Sequence, residues 1–406
     1  KFILSPCHSL KPMLATEKHS FEKQFLNPIL QTWHIMASAK NRHKLFLINN
    51  LKLLIAIKNL VFILIDLLIA DWLFRQAQAQ PFAKTKLNNV TVAKVEEMLM
   101  RWAGGSVWRG GPQPPAARPC LALNHFRGNE RINDPAKDVD GCDNWPEVRE
   151  TLFWCGPITE HFGHQIGEFG SRVLLSSLDS RSGKLLFLHS QQGANWNSLL
   201  PWQKEWINYV NPAQKQIIIS NGKFRAANMI VVPQHQRLGE LPTAQHLLAA
   251  TWRQRILNGP PIRDVVVISR SRHSPAENQH SMRGSFAGEK EFNHLMETKG
   301  AWIIHPETLP FLKQLEILHR ACKLVVAEGS VLHAMELLGY QPEKKVVVIA
   351  RRPQWPGIDK PLQCRFPKLK YVDSVQEIWW QPPSNPRVKG LARLKWHDAL
   401  AQIGKA

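Results

Sequence analysis

The chain has 406 residues, of which 44% are hydrophobic and 21% charged. This balance excludes wholesale disorder and gives enough length for two ordinary domains plus an extension. The formal net charge is +20, and basic chains of this kind suit an acidic membrane surface, a phosphate-bearing substrate or nucleic acid, or simply carry a solvated basic surface. No Cys/His finger spacing, RNP-like aromatic motif or basic-region heptad occurs in the sequence, so we expect no nucleic-acid partner.

The positive charge is concentrated at the two ends of the chain. Residues 1–86 contain twelve Lys or Arg against four Asp or Glu, and residues 343–406 contain thirteen against five. The six cysteines are scattered without a C-x-x-C pair, which favours reduced thiols and a cytoplasmic location. In a luminal protein, the three thiols near the middle of the chain could instead include a disulfide (Cys120, Cys142, Cys155).

Residues 1–95 are interpreted as a basic, partly hydrophobic helical extension. The apolar run from Leu51 to Phe74 is long enough to span a bilayer, but Lys52, Asn59 and Asp66 recur along it every seven residues. Buried charges are costly in a bilayer. A helix that lies on a membrane surface or on the protein body is therefore favoured over a transmembrane anchor, and a membrane surface is an expected partner of this segment.

Two blocks of alternating strands and helices follow the extension. Residues 102–119 are rich in Gly and Pro and are interpreted as a linker or open loop. The first block occupies residues 96–257, and "NGPP" at 258–261 separates it from the second, residues 258–406, which ends in the basic tail. Because strands that alternate with helices are typical of parallel sheets, the pattern predicts an α/β fold with two Rossmann-like domains facing a cleft.

The stretch "ITEHFGHQIGEFGSR" in the first block carries candidate chemistry at His161, His164 and Glu168. In an α-helix, steps of three and four residues turn by about 300° and 400°, so the three side chains share one face. Two His and a carboxylate on one face are consistent with a metal site of a hydrolase. They are equally consistent with a general base and its orienting partner.

The second block contains a strand-turn-helix at "KLVVAEGSVLH". The strand ends before Glu328, Gly329 and Ser330, and the following helix carries His333 in its first turn. In open α/β sheets ligands bind beyond the carboxyl ends of the strands, where helix amides favour anions. The alternative is a plain connection with Ser330 as the N-cap.

A second polar loop follows the strand "DVVVISR". Arg270, Arg272 and Arg283 lie at or beyond the carboxyl end of this strand, where arginines bind a diphosphate bidentately; the alternative is a set of surface arginines on a loop. No G-x-x-x-x-G-K-[ST] sequence is present, which excludes a P-loop. No G-x-G-x-x-G follows a strand, which argues against a dinucleotide-dependent dehydrogenase.

Together, "EHFGHQIGE", "VVISRSR", "HPETLPFLKQLEILHRACKLVVAEGSVLH" and their spacing resemble the glycosyltransferase family 61 domain over roughly residues 145–350. The resemblance implies a GT-B-like fold and an inverting, metal-independent transfer of a sugar from a nucleotide-sugar donor to a glycan or other hydroxyl acceptor, without a cofactor. The chain departs from the family in carrying Glu328 before the glycine and in its N-terminal segment of roughly 90 residues.

The resemblance also assigns roles to residues. His164 and Glu168 match a family segment that faces the cleft from the acceptor side, with His164 the first choice as catalytic base and Glu168 the second. The second block becomes the nucleotide-sugar-binding domain, with contacts from eight residues: Arg270, Arg272, Arg283, Glu307, Glu328, Gly329, Ser330 and His333. The alternatives are a non-catalytic membrane-associated scaffold with a degenerate transferase fold and, less favoured, a metal-dependent hydrolase.

Overall fold

The computed structural model describes residues 84–97, 107–113, 121–137, 139, 141–272, 286–351, 358–379 and 391–405. The chain divides into two compact units, residues 1–76 and 77–406, and every described residue belongs to the second. The described part is a mixed α/β protein with parallel sheets. The hydrophobic segment Leu51–Phe74 and the predicted donor contact Arg283 lie outside the described residues.

The first sheet has seven strands, in the order β5-β2-β1-β9-β6-β7-β8. Their bounds are β1 Thr85–Glu97, β2 Trp108–Gln113, β5 Asn133–Asp134, β6 Glu147–Ile158, β7 Lys184–His189, β8 Ile217–Ser220 and β9 Phe224–Val231. β9, β6, β7 and β8 are parallel, whereas β1 runs antiparallel to both of its neighbours. A separate hairpin pairs β3 Phe126–Arg127 with β4 Glu130–Arg131.

The two strands at the start of this sheet differ from the sequence interpretation. β1 begins at Thr85, inside the segment interpreted as a helical extension, and β2 occupies the stretch interpreted as a linker. Gly110 and Gly111 adopt positive φ within β2, and a Cβ at Gly110 would overlap the Lys94 carbonyl of β1. The glycines therefore permit the close approach of two paired backbones in an irregular strand, and do not mark an open loop.

Among the described residues, four α-helices accompany the first sheet and form the N-terminal layer with it: α1 Phe162–His164, α2 Val173–Leu178, α3 Pro201–Val210 and α4 Ala244–Arg253. Helix α3 begins with Pro201, whose missing amide is not needed at a first helical position. Thr243 caps α4 by accepting a hydrogen bond from the His246 amide. Both boundaries therefore follow from local sequence signals.

The second sheet, the centre of the C-terminal layer, has five parallel strands in the order β12-β10-β13-β14-β15. Their bounds are β10 Val265–Ile268, β12 Trp302–Ile304, β13 Lys323–Ala327, β14 Lys345–Ile349 and β15 Lys368–Val372. The runs "VVVI" of β10 and "LVVA" of β13 are almost wholly buried. Continuous apolar runs are typical of central strands covered on both faces.

The helices of the C-terminal layer are α5 Glu289–Thr298, α6 Phe311–Arg320, α7 Val331–Met335, α8 Asp359–Gln363 and α9 Trp396–Lys405. A three-stranded sheet of β11 Phe286–Ala287, β17 Leu391–Leu394 and β16 Val375–Trp379 shares an apolar cluster with the five-stranded sheet. Helix α6 is amphipathic: Leu315 and Leu318 are buried, whereas Lys313 is exposed. None of the helices in the described ranges combines the length and apolar character that a membrane crossing requires.

The candidate residues lie beyond the carboxyl ends of parallel strands in both layers. β6 ends at Ile158, just before His161, and β10 ends at Ile268, just before Arg270. β12 and β13 end before Glu307 and Gly329, respectively. Both sheets therefore present polar loops where ligands of α/β proteins bind.

Candidate functional site

The segment that follows β6 is helical, but it is not the plain α-helix that the spacing predicted. Only α1 is α-helical; Gln165–Phe169 forms a π-turn and Gly170–Arg172 a 3-10 turn before α2 begins. The buried Gln165 side chain accepts a hydrogen bond from the Thr159 amide at 2.8 Å, which ties the π-turn to the end of β6. Single π-turns inside helices are frequent at functional sites.

The three predicted side chains nevertheless lie together. His161 is the N-cap of α1, and its Nδ1 accepts a hydrogen bond from the His164 amide at 3.5 Å. The two imidazole centroids are 4.3 Å apart, and His164 Nδ1 lies 2.7 Å from Glu168 Oε2. Because an ionised carboxylate only accepts hydrogen bonds, this contact assigns the proton to His164 Nδ1 and the basic lone pair to Nε2.

Glu168 has a second partner that the sequence did not indicate. Arg127 Nε donates to Glu168 Oε1 at 2.5 Å, and Arg127 Nη2 donates to Oε2 at 3.1 Å. Arg127 lies 41 positions before Glu168 in the chain, in the β3–β4 hairpin. The result is a bidentate pair of the kind that fixes a carboxylate in both position and orientation.

This pairing sets the protonation state of the buried carboxylate. Burial alone would raise the pKa of Glu168, but hydrogen bonds from His164 and Arg127 outweigh burial and lower that pKa to about 2. Partial desolvation and the neighbouring His164 and His333 lower the pKa of His161 to about 4, although part of this side chain is exposed. At neutral pH Glu168 is therefore ionised and His161 is neutral.

The alternative of a metal site in this cluster gains no support from the arrangement. Both oxygens of Glu168 already accept hydrogen bonds from Arg127 or His164. Across the described ranges, no three His, Cys, Asp or Glu side chains are grouped so that they could hold a metal ion.

Arg270 occupies the corresponding position at the end of β10. Its backbone amide and the Ser269 hydroxyl both donate to Glu289 Oε1, at 2.6 and 3.0 Å. Burial lowers the pKa of the Arg270 guanidinium, and Glu289, Glu307 and Glu328 oppose that effect. A Cβ at Gly329 would overlap this guanidinium, so the glycine is the residue that lets Arg270 lie across the β13 turn.

A cavity of about 430 Å³ beside Arg270 is lined by residues of both layers. The predicted residues Arg270, Glu307 and Ser330 line it from the C-terminal layer. Phe162 and Trp202 line it from the N-terminal layer, with ring centroids 5.0 Å apart. Its wall therefore combines aromatic surface with one cation, Arg270, and two carboxylates, Glu205 and Glu307. Such a mixture of apolar and charged groups suits an organic ligand, with Arg270 as the contact for an anionic group.

Arg272 does not join Arg270 at this cavity. It lines a separate open groove of about 550 Å³ together with His305, Asn293 and Lys290 of the C-terminal layer. Burial and the neighbouring Arg272 lower the pKa of His305. The two arginines thus face different recesses at the same edge of the sheet.

Two further residues that were predicted to contact the nucleotide sugar, Glu328 and His333, instead contact other parts of the protein. Glu328 is buried, and its Oε2 accepts a hydrogen bond from the Arg351 amide at 2.8 Å. His333 packs against α1 and the π-turn: a Cβ at Gly163 or Gly167 would lie only 2.8 or 2.6 Å from its ring. The turn predicted to bind the sugar donor (Glu328–Ser330, with His333 after it; the donor turn) and the helix predicted to carry the base (α1; the base helix) are therefore in direct contact.

That contact adjoins a buried network of side-chain hydrogen bonds between the layers. His333 Nδ1 lies 2.7 Å from Glu336 Oε1, and Glu336 Oε2 accepts a hydrogen bond from Gln236. Gln236 in turn accepts a hydrogen bond from the fully buried Arg365 at 2.5 Å. His333 therefore serves the junction of the layers and does not line the 430 Å³ cavity.

Sequence reasoning missed Arg127, Glu289 and Gln236. Arg127 and Glu289 contact the predicted residues Glu168 and Arg270, and Gln236 contacts Glu336, the partner of His333. The partners in these three contacts lie 19 to 100 positions apart along the chain. No local motif marks such partners. A buried carboxylate at Glu168 or a buried cation at Arg270 does, however, demand an opposite charge, and that requirement is the signal that could have prompted a search for them.

No protein-family model matches the chain, and no curated protein sequence matches it either.

Proposed function

We propose that the chain is a glycosyltransferase with a GT-B-like arrangement that transfers a sugar from a nucleotide-sugar donor to a glycan or other hydroxyl acceptor. The observation that carries the proposal is the direct contact between the base helix and the donor turn, where Gly163 packs against Ser330 and His333. The resemblance to glycosyltransferase family 61 predicted these two segments as the acceptor-side and donor-side walls of one cleft.

The reaction needs one proton acceptor and one stabilised leaving group. As the acceptor oxygen attacks the anomeric carbon, His164 Nε2 takes the hydroxyl proton. The bond between the anomeric carbon and the diphosphate oxygen breaks, and its electron pair stays on the diphosphate. Arg270 at the cavity wall stabilises that charge, and attack from the opposite side of the sugar inverts the anomeric configuration. Transfer by this route is metal-independent and uses no cofactor.

The His164–Glu168 pair favours the imidazole as the base. A carboxylate with a pKa of about 2 is a weak proton acceptor near neutral pH, whereas an imidazole is well matched to it. Glu168 then orients His164 by accepting its Nδ1 hydrogen bond, an arrangement that supports His164, the first choice from the sequence, as the base.

The test is a donor-hydrolysis and transfer assay with a panel of nucleotide sugars and hydroxyl acceptors. His164→Ala should lower kcat by roughly 10²- to 10⁴-fold, the usual contribution of a general base, and should leave nucleotide binding within a few-fold. Arg270→Ala should instead weaken nucleotide binding itself. Full turnover in both variants would contradict the assignment, and no activity with any donor would favour the scaffold alternative.

A further inference from the structure

We propose that Arg127 is a positioning residue for proton transfer, which holds Glu168 against His164 so that the imidazole and not the carboxylate accepts the acceptor's proton. The proposal rests on the proposed function for the reaction itself. Its structural claim, that Arg127 keeps Glu168 ionised and oriented, stands independently of any substrate.

The proposal is supported by the geometry of three side chains, Arg127, Glu168 and His164. Arg127 reaches both oxygens of Glu168, at 2.5 and 3.1 Å, and His164 Nδ1 reaches one of them at 2.7 Å. Only 1% of the Glu168 side chain is exposed, compared with 18% for Arg127 and 23% for His164. The carboxylate is therefore enclosed, while the imidazole that it orients still reaches the surface.

Arg127 is itself held in place by the backbone around it. The preceding amide, Phe126 N, donates to Gln234 Oε1 at 2.6 Å, and Gln234 Nε2 donates to the Glu168 carbonyl at 2.9 Å. The guanidinium of Arg237 lies 4.5 Å from the centroid of the Phe126 ring. One glutamine thus links the backbone of the hairpin to the backbone of Glu168, so the two side chains meet in a fixed register.

Other charged and titratable groups around the pair come from several elements. These groups are His161 at the N-cap of α1, His333 of the facing α7, Glu336 directly after α7, and Glu130 of β4. His161 is neutral near pH 7, and Glu336 is paired with His333. Of the two described ion-pair partners of Glu168, Arg127 and His164, Arg127 is therefore the one whose positive charge does not depend on pH.

Removal of Arg127 should change how the site responds to acid. A buried carboxylate that keeps only the imidazole contact is harder to maintain in its ionised form. Protonated Glu168 is a weaker, uncharged acceptor for the His164 Nδ1 proton and can itself donate to that nitrogen. His164 then loses its fixed orientation and tautomer. The acid side of the activity profile should consequently move to higher pH.

The kinetic experiment compares Arg127→Met, Arg127→Lys and a control, Arg131→Met, in the full-length chain. Arg127→Met should lower kcat by about 10- to 100-fold, the value of a lost charge-assisted hydrogen bond, with an unchanged KM for the donor. Its acid limb should rise by about one pH unit or more. Arg127→Lys keeps the charge, so the acid limb of its pH profile should stay at the wild-type position and its kcat should be partly recovered. Arg131→Met, on the same hairpin, should match wild type in both.

A second measurement requires no substrate and separates failure of this proposal from failure of the proposed function. The side-chain carboxyl carbon of Glu168, labelled with ¹³C and assigned with a Glu168→Gln variant, is followed by NMR from pH 7 downward. In Arg127→Met the Glu168 signal should titrate at a clearly higher pH than in wild type, and in Arg127→Lys it should stay close to wild type.

Either of two results would overturn the proposal. One is a Glu168 titration that is identical in wild type and Arg127→Met, in which case Arg127 does not control the carboxylate. The other is an Arg127→Met enzyme that keeps its kcat and its pH profile. A shifted Glu168 titration in a chain that lacks transferase activity would support the positioning role and count against the proposed function alone.

Discussion

Buried histidines make the chain sensitive to mild acid at the level of single residues. Burial, with the neighbouring Arg172 contributing less, lowers the pKa of His235 to about 4. Burial lowers the pKa of His319 to about 4 as well, assisted by Lys344 and Arg320. Both residues are neutral in the folded chain, whereas in the unfolded chain they take up a proton near pH 6.5.

The sign of the effect follows from that difference. Because their folded-state pKa values are depressed, the two residues contribute stability that is fully present above about pH 6.5 and is lost as the pH falls toward 4. Each additional proton bound by the unfolded chain lowers the free energy of unfolding by up to about 1.4 kcal/mol per pH unit. Urea unfolding should therefore show little change in stability above about pH 6.5 and a progressive loss from there down to pH 4.5.

A matched pair of variants tests the source of this loss. His319→Gln removes one such group and should flatten the dependence of unfolding free energy on pH, while His397→Gln changes an exposed histidine and should leave the curve as in wild type. A stability that stays constant from pH 7.5 to 5 would show that these histidines are not held neutral by the fold.

At the level of elements, the junction between the π-turn and α7 is packed to the limit of available space. A Cβ at Gly167 would lie 2.6 Å from His333 Nδ1 and 3.1 Å from His333 Cε1. The His333 side chain cannot move away easily, because it is hydrogen-bonded to Glu336 in the buried hydrogen-bond network between the layers. The glycine is thus required by the neighbouring imidazole.

Gly167→Ala should accordingly destabilise the chain by about 1–3 kcal/mol, the usual cost of overpacking. Gly404→Ala, in α9 with no neighbouring heavy atom within 4 Å of the added Cβ, should be neutral or stabilising by about 0.5–1 kcal/mol. Chemical denaturation measures both. In the double variant Gly167→Ala/His333→Ala the cost of the added methyl should shrink, and strictly additive losses would mean that the two residues do not contact each other.

The same elements show what the sequence could predict. β7 (Lys184–His189) and α3 (Pro201–Val210) carry local sequence signals, an apolar run and an N-terminal proline. β2 was missed because its Gly-rich sequence becomes a strand only through pairing with β1. The π-turn was missed because its spacing also fits an α-helix.

At the level of the whole molecule, parallel strands in the second block were predictable from their continuous apolar runs, and the parallel sheet of the C-terminal layer confirms them. The antiparallel β1 in the first sheet was not, since it pairs with β9 more than a hundred residues later. The site divides in the same way. Spacing indicated His161, His164 and Glu168, whereas no local motif marks Arg127, which lies 41 positions before Glu168.

The arrangement of the layers gives the central claim its physical basis. Arg270, Glu307 and Ser330 share a cavity with Phe162 and Trp202 of the other layer, and Phe162 lies two residues before His164. A diphosphate bound by Arg270 would thus be held close to the helix that carries the proposed base.

The most direct measurement of that claim is equilibrium binding of UDP, GDP, CDP and ADP to the full chain by isothermal titration calorimetry. At least one diphosphate should bind to wild type and should bind roughly tenfold or more weakly to Arg270→Gln, which loses a charged bidentate donor. Arg149→Gln, at a side chain that is 88% exposed, should bind like wild type. If no diphosphate binds, or if Arg270→Gln binds as tightly as wild type, the cavity is not a nucleotide-sugar site.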